Sequence, residues 1–281
     1  MMMLKKIDET ITQYLVDRYG EAVRDDVGLL LGGKFQLRHL FNLRTMIRKD
    51  CDLSGGRNML KVVSDSLSKR DFAGVCLDGC KNARILFVNG VMTPYSLAQW
   101  QRDCLQMLFK QPVGLVYNPT ESLIADLLEC HQDRYGEPTM LAHGLVAQIE
   151  YTLKTSPYPV TVVGYSQGAI IATRALSLLT ARLGRAQLQR VRYITFGAGF
   201  RENQLHEAIV QEHFANLRDP VVHLGLLRPG SDHTGVIHTR DAQGHMLVAD
   251  YLSKGARHGF DLSKSPVFAR LIGEDIKDAA G

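Results

Sequence analysis

The residues Gly164-Tyr165-Ser166-Gln167-Gly168 fit the pattern G-x-S-x-G. A serine hydroxyl can attack an acyl carbon, but at neutral pH it is a weak nucleophile. It needs a base, usually an imidazole, that is itself oriented by a carboxylate. The neighbouring residues suit such chemistry. The β-branched run Val160–Val163 predicts a strand and Ala169–Leu176 predicts a buried helix, so Ser166 falls on the turn between them with its hydroxyl pushed outwards. Gly164 and Gly168 fit because strand and helix backbones pass there too closely for a Cβ.

Such a turn must be held by a larger framework. From "ARILFVNG" onwards, short apolar runs alternate with longer helical stretches. Strands are expected at Ile85–Val88, Val113–Tyr117, Val160–Tyr165, Val191–Phe196, His213–Leu217 and Gly235–His238. Helices are expected at Tyr95–Phe109, Glu121–Cys130, Thr139–Leu153, Ala169–Leu183 and Glu202–Val210. This alternation implies right-handed crossovers and a mostly parallel sheet with helices on both faces, an α/β fold. In such sheets chemistry gathers at the carboxyl ends of the strands. Residues 1–82 read differently, with helical spacing at Ile7, Ile11, Tyr14 and Leu15 and again at Leu37, Leu40, Phe41, Arg44 and Ile47. The chain is therefore expected to divide into an N-terminal helical region, 1–82, with a lid, interaction or packing role, and an α/β domain, 83–281.

"GYSQGA" resembles the nucleophile elbow of cutinase-like and related bacterial serine esterases. "NLRDPV", in which Asn216, Asp219, Pro220 and Val221 match N-x-x-D-P-V, resembles the acid segment of lipases and esterases of the α/β-hydrolase superfamily. The resemblance covers roughly residues 83–255. It departs from secreted cutinases in lacking an evident disulfide framework and a signal peptide. It implies an α/β-hydrolase-like fold and a triad in the chain order Ser, Asp, His, each on a loop after a strand. Asp219 follows an apolar strand and Pro220 ends strand pairing there. That order sets aside the histidines before Asp219. His223 lies too near the acid, and His233 and His238 precede or fall within the last strand. His245 follows that strand as the leading base, and His258 in "RHGFDLS" is its rival.

The resemblance also implies oxyanion donors. One is the backbone N–H of Gln167, and the second is the Val91 N–H in "FVNGVMTP". Gly90 permits close backbone approach in that loop, while Asn89 either braces it or donates through its side chain. Tyr165 and Gln167 either line an acyl pocket or shape the elbow. The implied activity is hydrolysis of carboxylic esters or acyl lipids through an acyl-enzyme, with no metal or organic cofactor. Two alternatives remain: a catalytically silent hydrolase-fold interaction protein, and an acyltransferase or thioesterase using the same triad.

Composition is consistent with this class. The chain has 281 residues, enough for a substantial core, and its formal charge of +4 does not point to nucleic acid. The five cysteines, Cys51, Cys76, Cys80, Cys104 and Cys130, are scattered, as expected of a reduced protein. Cys76 and Cys80 lack further ligands nearby for a metal. No apolar run reaches membrane-spanning length, and Asp8 and Glu9 interrupt any signal-peptide core, so a cytoplasmic location is the default and non-classical export stays open. Residues 34–50 combine Lys34, Arg38, Arg44, Arg48 and Lys49 with Leu40, Phe41, Met46 and Ile47. They read either as a membrane-surface helix or as a helix packed on the core. Glu121, Asp126 and Glu129 are read as a solvated helix face.

Overall fold

The computed structural model describes residues 75–91, 93, 95–119, 138–252 and 260–271, all within the unit Arg57–Gly281. Seven strands form one sheet: β1 (Cys76–Asp78), β2 (Ile85–Val88), β3 (Val113–Tyr117), β4 (Val160–Tyr165), β5 (Val191–Phe196), β7 (Val210–Arg218) and β9 (Val236–Gln243). Their order is β1-β3-β2-β4-β5-β7-β9, parallel throughout except for β1. Two short strands, β6 (Glu202–Asn203) and β8 (Asp232–His233), pair apart from it.

Every residue of β2, β3, β4 and β5 is buried. Near-continuous apolar strands are what a parallel sheet covered on both faces requires. Alternation then sorts the side chains. Leu86 and Val88 pack with helices α2 (Met140–Thr155) and α3 (Gln167–Thr180). Ile85 and Phe87 pack on the other face with helix α1 (Tyr95–Phe109) and with Val267 and Phe268. Thr139 caps α2, its hydroxyl accepting from Ala142 N at 3.3 Å. This is the α/β arrangement with helices on both faces that the alternation implies.

Three differences from the sequence reading have local causes. The helix expected over Glu202–Val210 is absent: Glu202 and Asn203 are extended against Asp232 and His233, and the His206 imidazole accepts from Ala208 N to make a turn. The strand β1 was not expected. Its three residues are too few to show a period, and Leu77 is exposed at the sheet edge. The segment after β9 is a wide π-type helical stretch, Leu247–Leu252. The helix expected at Glu121–Cys130, the basic stretch 34–50, Cys51 and Cys130 lie outside the described residues. Among the described residues no helix is long and apolar enough to cross a membrane.

His213 on β7 lies buried between Tyr193 and Phe200. Its Nε2 is 2.9 Å from the Thr234 carbonyl, which can only accept, so Nε2 carries the hydrogen and Nδ1 accepts from the Thr195 hydroxyl at 2.9 Å. Burial lowers its pKa from 6.5 to about 4. Between those values the unfolded chain takes up a proton that the native state refuses. Stability is therefore present above pH 6.5 and is lost as pH falls towards 4, by about 3 kcal/mol. Urea denaturation of His213→Gln should show a shallower decline across this window than the wild type. An equally steep decline would assign the titration to other groups.

Candidate active site

Ser166 sits between β4 and α3 with φ 56° and ψ −122°, a backbone conformation that a non-glycine residue rarely adopts. The surroundings over-determine it. Ser166 N donates to the Phe196 carbonyl at 3.1 Å, and its own carbonyl accepts from Ala169 N at 3.1 Å. A Cβ on Gly164 would lie 2.6 Å from Ala169 Cα, and one on Gly168 would meet the carbonyl oxygens of Val88 and Asn89. The two glycines thus let α3 start hard against β4 and the end of β2.

The hydroxyl of Ser166 is 2.9 Å from His245 Nε2, and His245 Nδ1 is 2.7 Å from Asp219 Oδ2. The acid follows β7, the imidazole follows β9 and the serine follows β4, all at the carboxyl edge of the sheet. Asp219 is fully buried, whereas the His245 side chain keeps 15% exposure. Asp219 Oδ1 accepts from Val221 N at 2.8 Å, which caps the short helix α4 (Pro220–Leu224), and Oδ2 also accepts from the Tyr251 hydroxyl at 2.6 Å. A carboxylate among three donors acts as an acceptor only. His245 Nδ1 therefore carries the hydrogen, and Nε2 is left to accept from Ser166.

The imidazole is confined on its other sides. Tyr165 stacks on it with ring centroids 5.1 Å apart and donates to the His245 carbonyl at 2.7 Å. Gly197, at φ +56°, leaves room for the ring: a Cβ there would lie 2.9 Å from His245 Cε1 and 3.1 Å from Asp219 Oδ2. Behind the acid, the Asn216 amide donates to the Gly244 and Asp250 carbonyls, and Arg240 donates to Asn216 Oδ1. This ties the loop carrying Asp219 to the loop carrying His245. His258 lies outside the described residues.

The loop after β2 meets the serine directly, since a Cβ on Gly90 would lie 2.7 Å from Ser166 Cβ. Both amide hydrogens of Asn89 go to backbone carbonyls, of Gly90 and Asn118, and its Oδ1 accepts from Asn118 N at 2.8 Å. Its side chain is thereby engaged in bracing the loop. Asn118 in turn donates to Gln167 Oε1 at 2.7 Å, linking the ends of β2, β3 and β4. Gln167 opens α3, whose first backbone N–H groups point out of the helix where negative charge is favoured. Sequence reasoning missed Asn118, Gly197 and Tyr251. The first two lie just past predicted strands, which was the available signal, whereas Tyr251 carried none.

Residues 138–234 match a family model described as the PE-PPE domain. That span includes Ser166 and Asp219 and ends before His245. The fold is α/β-hydrolase-like. Among solved structures, the chain is similar to Trichoderma reesei cutinase in complex with a C11Y4 phosphonate inhibitor, at 16% identity and a TM-score of 0.37, over 53% of this chain and 68% of that one. No curated protein matches the chain. The family match supports a hydrolase of lipase or esterase type.

Replacing Gly197 by Ala tests how closely this hydrolase-like site is fitted. The variant should lose on the order of a hundredfold in hydrolysis of a p-nitrophenyl ester, because the imidazole must move. Its stability in urea should fall by only about 1–3 kcal/mol, the strain of the left-handed backbone and the new contact. Undiminished turnover would show that the ring has slack.

Proposed function

We propose that the chain is a serine hydrolase that cleaves carboxylic esters or acyl lipids through Ser166, His245 and Asp219. One observation carries this reading: the unbroken hydrogen-bonded chain from Ser166 Oγ through both nitrogens of His245 to a buried carboxylate. As Ser166 Oγ attacks the ester carbon, its proton passes to His245 Nε2. Asp219 stabilises the imidazolium that results and keeps the ring in the tautomer that accepts at Nε2. The carbonyl oxygen becomes an oxyanion, for which the N–H groups of Gln167 and Val91 are the proposed donors. Collapse of the tetrahedral intermediate breaks the bond to the alcohol, which leaves with the proton from His245. Water then adds to the acyl-enzyme, with His245 taking its proton and returning it to Ser166 as the acid departs.

The match to the PE-PPE family model supports acyl esters as the substrates for assay. Ser166→Ala and His245→Ala should each lower kcat for a short-chain p-nitrophenyl ester by at least about a thousandfold, with folding intact by circular dichroism. Asp219→Asn should cost on the order of 10⁴-fold, because the amide favours the wrong tautomer and cannot balance an imidazolium. His258→Ala should retain most of the activity. Loss of activity in His258→Ala, with His245→Ala active, would move the base to His258.

A further inference from the structure

The least expected contact in the site is the second donor on the acid. Tyr251 is fully buried, six residues beyond His245, on the helical stretch that the base itself leads into. Its hydroxyl donates to Asp219 Oδ2 at 2.6 Å, the same oxygen that faces His245 Nδ1 at 2.7 Å. The oxygen of Tyr251 accepts in turn from Asn216 N at 3.3 Å. Its ring is held by Phe196 on one side, at 6.0 Å between centroids, and stacks on Phe260 at 5.8 Å. The hydroxyl therefore has a fixed direction and both of its hydrogen-bonding functions satisfied.

We propose that Tyr251 is a positioning residue for the triad, whose hydroxyl pins Asp219 Oδ2 and shares its charge with His245, so setting the strength of the His245–Asp219 hydrogen bond. The inference rests on the triad reading above. A carboxylate oxygen that accepts two hydrogen bonds divides its charge between them, so each donor weakens the other. Burial, followed by the charge of Asp219, pushes the phenol far above its ordinary pKa, so it stays a donor across the working range of pH. Among the described residues, further ionisable groups act on this contact. Tyr165 acts electrostatically on the Tyr251 hydroxyl from β4, and Arg240 on β9 feels the charges of Asp250 and Tyr251. His245 and Tyr251 both hydrogen-bond to Asp219 Oδ2, and these two side chains divide its charge.

The test is proton NMR of the full chain, following the His245 Nδ1–H resonance, assigned by its loss in His245→Gln. Tyr251→Phe keeps the ring and removes the donor. The carboxylate charge then falls on His245 alone, and the resonance should move downfield. Replacement of Tyr251 by 3-fluorotyrosine keeps the ring and hydroxyl and makes the donor stronger, so the resonance should move upfield. It also provides the test if the Phe variant does not fold. A purely space-filling Tyr251 would change thermal stability and leave the resonance where it is, and that result overturns the inference. This readout needs no turnover. An inactive wild type would sink the hydrolase reading while the resonance still decided the role of Tyr251. Given turnover, Tyr251→Phe should lower kcat on the order of tenfold with KM within about twofold, as a group acting through the acid rather than on substrate would.

Discussion

A charged carboxylate with no solvent exposure is the constraint around which the rest of this structure is arranged. An isolated buried carboxylate costs several kcal/mol, and the cost falls only where hydrogen-bond donors replace the lost water. Asp219 has three, and they come from different places. Val221 N is supplied by the helix that Asp219 itself caps, His245 by the loop after β9, and the Tyr251 hydroxyl by the segment beyond. Those segments must be docked together for the charge to be tolerated, so burial of the acid also fixes where the imidazole stands.

The parallel sheet makes that convergence possible. Its strands run the same way, so the ends of β2, β3, β4, β5, β7 and β9 open onto one edge. The loops there come close enough to bond with one another. Asn89, Asn118 and Gln167 join three of them, and Asn216 with Arg240 joins two more. Close approach has a steric requirement as well. Gly90, Gly164, Gly168 and Gly197 each stand where a Cβ would meet backbone or a site side chain. The strained dihedrals of Ser166 persist because the chain on either side of it is fastened to β5 and α3.

Much of this was legible in the sequence because it rests on local pattern. Apolar runs such as ILFV and VTVVGY read as strands covered on both sides, and G-x-S-x-G between such a strand and an Ala-rich helix fits the elbow pattern. Chain order left His245 as the leading base and His258 as its rival. What escaped depends on contacts between residues far apart in sequence. Tyr251 reads as one apolar position in a helical stretch, and its hydroxyl gains meaning only beside Asp219, thirty-two residues earlier. Glu202–Val210 has a composition that suits a helix, yet pairing with Asp232 and His233 holds its start extended. The extent of the N-terminal region, and any role for His258, lie beyond the described residues.

Reactivity of Ser166 toward a fluorophosphonate tests the proposed chemistry most directly, because such probes phosphonylate a serine only where a neighbouring base activates it. Peptide mapping of the labelled wild type should place one adduct on the fragment containing Ser166, and both Ser166→Ala and His245→Ala should stay unlabelled. An adduct on another residue, or equal labelling of Ser166 in His245→Ala, would contradict the triad.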